Sequence, residues 1–485
     1  MRVFKDAKYL SSSVFAGAVL ASLRSIVVLR LLGPVLIGAW KTALLVDTMG
    51  EIARSGILRG MSIRVPMLAG EGNTKEADRN AAAAGGFLFW LGVAIAVAIF
   101  GGSFFAHDPN IRLALRFLAF AVGISQPYYY LRELAGTRHH FVIRSKEELL
   151  RSVVDITGAV LLCKFFGLAG LGLATCTALT VGTIFYIRKQ QIPFRLRLDK
   201  KELGSLMKIG VPFSITEAGY DVLRRVDIWV IAIMAGPTAV GLYGLSLLIM
   251  DFAVVLSQKG VAQVLSPHML KEFGRTKSHF DIAIFYEAPA RLFCYVLPPI
   301  FGAGTFLIGI FTRMLLPQFN AGVGAAEVTL WTMLFVALHF SINSYFAAAN
   351  MIPKVIKLMA GTIVIAMIAQ FTVLKMGFGI EGAAWCTLAT SALWAALELY
   401  VARTTCGEST GSAMVFIASL YLPLVVCIAL RAVAQAVPMD QWLPFAHGTV
   451  LEPIARMLLF LLFYLPVLIG YEMRFSMLRM VRRGL

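Results

Sequence analysis

Apolar runs of about 20 residues recur from one end of this 485-residue chain to the other. No other feature constrains its fold so strongly. Such a run is what a helix needs to cross a ~30 Å hydrocarbon core, where every backbone N–H and C=O must be satisfied without water. Hydrophobic residues make up 59% of the chain and charged residues 15%, against roughly 25% charged in soluble domains. The sequence therefore predicts an all-α polytopic membrane protein. About fourteen spans are expected, near 10–32, 38–62, 82–106, 112–134, 149–166, 168–187, 209–234, 239–265, 291–315, 326–349, 354–375, 381–402, 413–434 and 455–473. Glycines 167–172 and 377–382 supply the tight turns dividing the fifth from the sixth span and the eleventh from the twelfth.

The net charge of +17 raises the question of a nucleic-acid partner, but its distribution answers differently. Of the 44 Lys and Arg, 29 fall in segments on the N-terminal side of the expected topology and 6 on the other side, the rest lying within spans. Such asymmetry sets orientation in membranes and favours anionic lipid as the contact. Both termini are expected in the cytoplasm, with no nucleic-acid partner. The basic start and first apolar run resemble a signal peptide, yet an equivalent run recurs mid-chain, so the first is expected to be retained. Cysteines 163, 176, 294, 386, 406 and 427 lie in or beside apolar segments without paired spacing, and read as core residues. The sequence holds no Walker A motif, nucleophile elbow or metal cluster; an enzyme is not expected.

An internal repeat organises the spans. Gly33-Pro34-Val35-Leu36-Ile37-Gly38-Ala39-Trp40 recurs as Gly236-Pro237-Thr238-Ala239-Val240-Gly241-Leu242-Tyr243, 203 residues later. A second pair, residues 167–177 and 377–387, shares five of eleven residues at an offset of 210. Nearly equal offsets that preserve the side of the membrane imply parallel repeats: a six-helix bundle over 1–188, a basic linker over 189–208, a second six-helix bundle over 209–403, and two added helices with a basic tail over 404–485.

Charges inside spans each cost about 2.5–3.5 kcal/mol on insertion scales and so demand a reason. Asp47, Glu51 and Arg54 fall at i, i+4, i+7 on one stripe of the second span, with Lys41, Arg59 and Arg64 nearby; Glu217, Asp221 and Arg224 repeat the spacing in the seventh, followed by Arg225 and Asp227. Arg24 lies deep in the first span, and Asp251, in the eighth, falls one residue from the repeat counterpart of Asp47. The reading is a water-accessible central cavity. Arg24, Arg54, Arg59, Arg224 and Arg225 would bind an anionic headgroup, and Asp47, Glu51, Glu217, Asp221 and Asp251 would be candidates for a coupling ion, Na+ or H+; the alternative is mutual neutralisation as ion pairs. Arg30 can snorkel to the interface. His339, Asn343 and Asn350 read as interhelix hydrogen bonders, Tyr128-Tyr129-Tyr130 as an interfacial aromatic belt or a sugar-stacking surface, and His139-His140 as a loop pair without metal spacing.

The chain resembles the polysaccharide-transport flippases of the multidrug/oligosaccharidyl-lipid/polysaccharide exporter superfamily in several segments: Leu29 to Gly38, Gly210-Val211-Pro212-Phe213-Ser214, Asp227-Ile228-Trp229-Val230-Ile231, Gly236 to Tyr243, Ser266-Pro267 and Gly167 to Ala174. The resemblance implies two six-helix bundles in a V around a central cavity, with two more helices. It also implies flipping of undecaprenyl-pyrophosphate-linked oligosaccharide repeat units for O-antigen or exopolysaccharide synthesis by alternating access, in the cytoplasmic (inner) membrane of a bacterium; no cofactor is expected. Expected partners are that lipid-linked oligosaccharide, membrane lipids, and the polymerase and chain-length proteins of such a pathway. The rivals are a lipid II flippase, a drug/cation antiporter of the multidrug and toxin extrusion branch, and, ranked lower, a membrane polymerase or glycosyltransferase.

Overall fold

In the computed structural model, residues 2–138, 140–190, 198–257, 269, 273, 275–276, 278–349, 351–439 and 450–475 are described. Within them the chain is all helix, joined by turns. The helices are α1 (Arg2–Gly70), α2 (Thr74–Gly102), α3 (Pro109–Thr137), α4 (Phe141–Lys189), α5 (Lys200–Met234), α6 (Gly236–Leu242), α7 (Gly244–Ser257), α8 (Ile284–Leu315), α9 (Val323–Ala348), α10 (Ile352–Lys375), α11 (Gly379–Thr405), α12 (Thr410–Ala436) and α13 (Leu451–Phe475). Their contacts gather into two compact units, Met1–Gly244 and Leu245–Leu485.

The longest helices are folded back on themselves. α1 breaks at Gly33 and α4 at Gly167, both with positive φ. The breaks are sharp enough to bring distant residues together. Arg24 contacts both Asp155 and Thr175, although 20 residues of straight helix would separate those two by about 30 Å. The same logic applies across Gly236, another positive-φ glycine, because the Tyr243 hydroxyl donates to Asp227 Oδ2 at 2.8 Å. Each of these turns matches a division read from the sequence. Among the described residues nine helices are long and apolar enough to cross a membrane, or ten with the pair bent by 52° after Leu242 taken as one. Two of the nine, Leu20–Thr48 and Phe141–Lys189, contain a fold-back, so helices and crossings are not equal in number. The charged second half of α1, α3 and α5 fall outside the apolar set.

In the first unit α1 is central, packing against α2, α3, α4, α5 and α6. Its second half runs antiparallel to α5 and α6 and meets them backbone to backbone at both ends. A Cβ on Gly38 would lie 1.8 Å from the Pro237 carbonyl oxygen, and one on Gly241 would lie 1.8 Å from that of Pro34. The two copies of the Gly-Pro motif thus clasp each other reciprocally. At the other end a Cβ on Gly60 would meet the Leu206 carbonyl oxygen at 2.1 Å, and one on Gly210 that of Gly56 at 1.9 Å. Lipid offers no hydrophobic drive between helices, so close packing through small residues supplies it instead. A core of Ile57, Met61, Leu88, Leu134, Tyr186 and Leu206 fills the adjoining space.

In the second unit α9 is the buried helix, packed on α8 and α11 and carrying the buried Trp331, Tyr345 and Phe346. α12 and α13 pack on α8, where Gly302 faces the Phe460 ring and Cys427.

Gly38→Ala and Gly241→Ala each drive a methyl group into a carbonyl that cannot rotate away, and overpacking of this kind costs about 1–3 kcal/mol or more. Both variants are expected to unfold at a lower temperature in detergent. Gly204→Ala, at a helical site with nothing within 4 Å, is expected to match or exceed the parent; equal melting of all three would contradict the clasp.

Candidate functional site

The fold-backs at Gly33 and Gly167 bring both halves of α1 and of α4, with α3, around one cavity of about 270 Å³. α1 lines it with Arg24, Trp40 and Asp47, α3 with Ser125 and Tyr129, and α4 with Arg151, Asp155 and Thr175. Trp40 is the aromatic residue of the first Gly-Pro motif, two positions past the clasped Gly38. Arg24 Nε lies 2.9 Å from Asp155 Oδ2, and its Nη2 donates to Thr175 Oγ1 at 3.3 Å. Two guanidiniums and two carboxylates therefore share the wall, and hydroxyls and a phenol fill out a polar lining in an otherwise apolar bundle. The space is below the roughly 300–1,000 Å³ of pockets that take drug-sized ligands. In this conformation it fits water or a phosphate-sized group rather than an oligosaccharide.

A second charged set lies between the glycine contacts where α1 meets α5. Arg225 donates from Nη1 to Thr48 Oγ1 at 3.2 Å, and its Nη2 lies 3.9 Å from Glu51 Oε2. Arg54 Nη2 donates to Glu51 Oε1 at 3.1 Å, and its guanidinium stacks 4.1 Å from the Tyr129 ring centroid. Glu51 thus receives one arginine from α1 and one from α5. Arg54 is 6% exposed, so desolvation makes its pairing and its cation–π contact matter more than surface equivalents would. Next to this stripe Val46, Gly50 and Ala53 of α1 face Leu91, Ile95 and Ile99 of α2 across an apolar cleft of about 450 Å³.

The expected site residues are therefore divided among several places. Arg24 and Asp47 share the cavity. Arg54, Glu51 and Arg225 form the α1–α5 bridge. Arg224 pairs with Asp221 at 3.5 Å on α5 itself, Arg59 is on the exposed side of α1, and Asp251 is exposed on α7, in the other unit. The side chain of Glu217 lies outside the described ones, as do residues His139, Ser266, Pro267 and Asn350. The expected aromatic belt is replaced by burial: Tyr128 and Tyr130 are 2% and 1% exposed, with the Tyr128 hydroxyl directed at Glu147.

Sequence reasoning missed Asp155 and Arg151, and with them the network behind the cavity. Glu147, fully buried, accepts from the hydroxyls of Tyr186 at 2.9 Å and Tyr128 at 3.3 Å. Glu148 accepts from Arg132 and Arg151, each at 2.9 Å. The signal was there, since Glu148, Arg151 and Asp155 fall at i, i+3 and i+7, one helical stripe as Asp47, Glu51 and Arg54 do at i, i+4 and i+7. Starting the span at 149 cut that stripe.

The fold resembles that of solved transporters. The lipid II flippase MurJ in an inward closed conformation matches with a TM-score of 0.67 at 13% identity over 94% of this chain and 99% of that one. An outward-facing MATE family multidrug resistance transporter of the MOP superfamily matches with 0.59 at 15% identity, over 83% and 96%. A MOP superfamily transporter from Pyrococcus furiosus, described by the reverse polarity of its binding pocket, matches with 0.55 at 13% identity, over 83% and 98%. No curated protein matches the chain by sequence. At these identities the likeness shows the fold, that of a multi-pass helical membrane protein. Residues 73–301, a little under half of the chain, match the family described as polysaccharide biosynthesis protein.

Arg24→Ala and Asp155→Ala, with the double variant, are expected to give a coupling energy of about 1 kcal/mol in thermal unfolding, the range for contacting groups. Additive single effects would mean that the pair is not formed.

Proposed function

We propose that the chain is a flippase for undecaprenyl-pyrophosphate-linked oligosaccharide repeat units, carrying them across the cytoplasmic membrane by alternating access. The observation that supports this most is the coincidence of the polysaccharide biosynthesis family match over residues 73–301 with an arginine-bearing cavity inside an exporter-type bundle. A sugar pyrophosphate cannot enter hydrocarbon bare. Guanidinium forks can accept it bidentately, and an apolar cleft beside the charged stripe suits its lipid tail. An inside-negative potential favours outward movement of each negative charge by about 2.3 kcal/mol per 100 mV.

In this proposal Arg24, Arg54 and Arg225 contact the headgroup directly, Arg224 and Arg59 assist at its margin, and Asp47, Glu51, Glu217, Asp221 and Asp251 are candidate acids for a coupling Na+ or H+. Fourteen crossings, arranged as two parallel repeats of six with two added helices and both termini in the cytoplasm, complete it. The division 1–188, 189–208, 209–403 and 404–485 follows the repeat. A polymerase and chain-length proteins of a surface or exopolysaccharide pathway are the expected partners.

Lipid II is the second reading, favoured by the fold likeness to its flippase across 94% of this chain. It shares the pyrophosphate and polyprenyl parts, so the two readings differ only in the glycan.

In a strain lacking its polysaccharide flippase, the parent gene is expected to restore polymer export. Arg24→Ala, Arg54→Ala and Arg224→Ala are expected to lower it at least tenfold at equal protein level, with drug susceptibility unchanged. Full export by all three variants would refute headgroup binding by these arginines, and rescue of a lipid II flippase-depleted strain instead would transfer the assignment to peptidoglycan.

A further inference from the structure

Deep in the second unit, α9 and α11 bring together two titratable groups that the transport reading does not use. His339 is 4% exposed and Glu398 1% exposed. His339 Nδ1 lies 2.9 and 3.0 Å from the two carboxyl oxygens of Glu398. The indole Nε1 of Trp394 points at the same Nδ1 from 3.2 Å. An indole N–H can only donate. Its partner must then be the lone pair of a neutral imidazole whose hydrogen sits on Nε2. That lone pair also faces Glu398, and an ionised carboxylate there would set two acceptors against each other. With Nδ1 as acceptor, the contact is a hydrogen bond when Glu398 carries the proton; with a hydrogen on Nδ1, the ring donates to the carboxylate and gives up the Trp394 contact. The imidazolium–carboxylate alternative satisfies the acid but turns the Trp394 N–H onto an Nδ1–H.

We infer that His339, Glu398 and Trp394 form a proton-carrying site in the second unit, with the exchangeable proton on the Glu398 carboxyl. Release sends that proton to water and leaves a carboxylate opposite the imidazole. The ring then moves its own hydrogen from Nε2 to Nδ1, one proton leaving in all, and the new N–H displaces the Trp394 contact. Loss of a proton is thereby converted into a change of packing between α9 and α11.

Tyr421 of α12 is within Coulomb range of Glu398 and of Cys294 on α8, and both are neutral groups at ordinary pH. The charged groups of the packed helices are engaged elsewhere: Arg403 of α11 with Glu287 of α8 and Glu408, Arg431 of α12 with Glu327 of α9, and Arg291 of α8 against the Phe416 ring. Lys354, Lys357 and Lys375 of α10 are exposed. The pair is sealed from water here, so exchange requires the opening that a carrier cycle provides; to that extent the inference rests on the transporter reading.

The test is infrared difference spectroscopy of the purified full-length protein in lipid nanodiscs, between acidic and alkaline buffer. Wild type is expected to lose a carboxylic-acid carbonyl band on alkalinisation. Glu398→Gln is expected to lack that band, and Trp394→Phe to shift its frequency and its pH midpoint. A band undiminished in Glu398→Gln overturns the proposal. Should that variant not fold, Trp394→Phe decides, because a band it leaves unmoved overturns the proposal equally. The measurement needs no substrate, so its failure is distinguishable from failure of the glycolipid reading, which the export assay addresses.

Discussion

The first unit depends on a contact that no side chain makes. Where the two copies of the Gly-Pro motif cross, the carbonyl of each proline occupies the space a Cβ would need on the other copy's second glycine. Hydrocarbon gives apolar side chains no preference for one another over lipid, so the gain comes from dispersion at close approach. A second contact of the same kind joins α1 and α5 near the far end. Held at both ends, the paired helices can carry charged groups between them without relying on those groups for cohesion.

That separation of tasks explains how the polar interior is tolerated. Each motif places an aromatic residue two positions after the clasped glycine, and each serves a polar group. Trp40 lines the cavity with Arg24 and Asp47, and Tyr243 donates to the buried Asp227. Breaking one member of such a set leaves a charge in a low-dielectric setting, and that cost keeps the arrangement specific. In the second unit polar groups are likewise paired across helices, His339 with Glu398 and Arg403 with Glu287.

Much of the fold was legible because membranes restrict the vocabulary. Apolar runs gave the helices, and Gly33, Gly167 and Gly236 gave the turns, because only glycine takes those backbone angles without strain. The repeat offset paired the two motifs in sequence, but nothing in the sequence said that they touch; that needed the antiparallel path of α5. The site was half legible. Asp47, Glu51 and Arg54 are conspicuous as charges inside an apolar run. Glu147, Glu148 and Asp155 are equally charged but sit where a span was taken to begin, and their partners Tyr186, Arg132 and Arg24 come from elsewhere in the chain. Distant pairing of this kind, including that of His339 with Glu398, has no local signature.

Glu51 accepts one arginine from α1 and another from α5, and Asp155 already occupies Arg24. On the proposed reading, an incoming phosphate would meet Arg24, Arg54 and Arg225 already paired with carboxylates. It must displace a resident carboxylate, trading one anion for another at nearly constant local charge. The free energy of such an exchange is a difference between two similar interactions and is correspondingly small. A receptor built this way would be poor, but a carrier gains from it. In such a carrier the resident acids would take back the arginines as the cargo departs, so that release would be assisted by the same groups that delay capture.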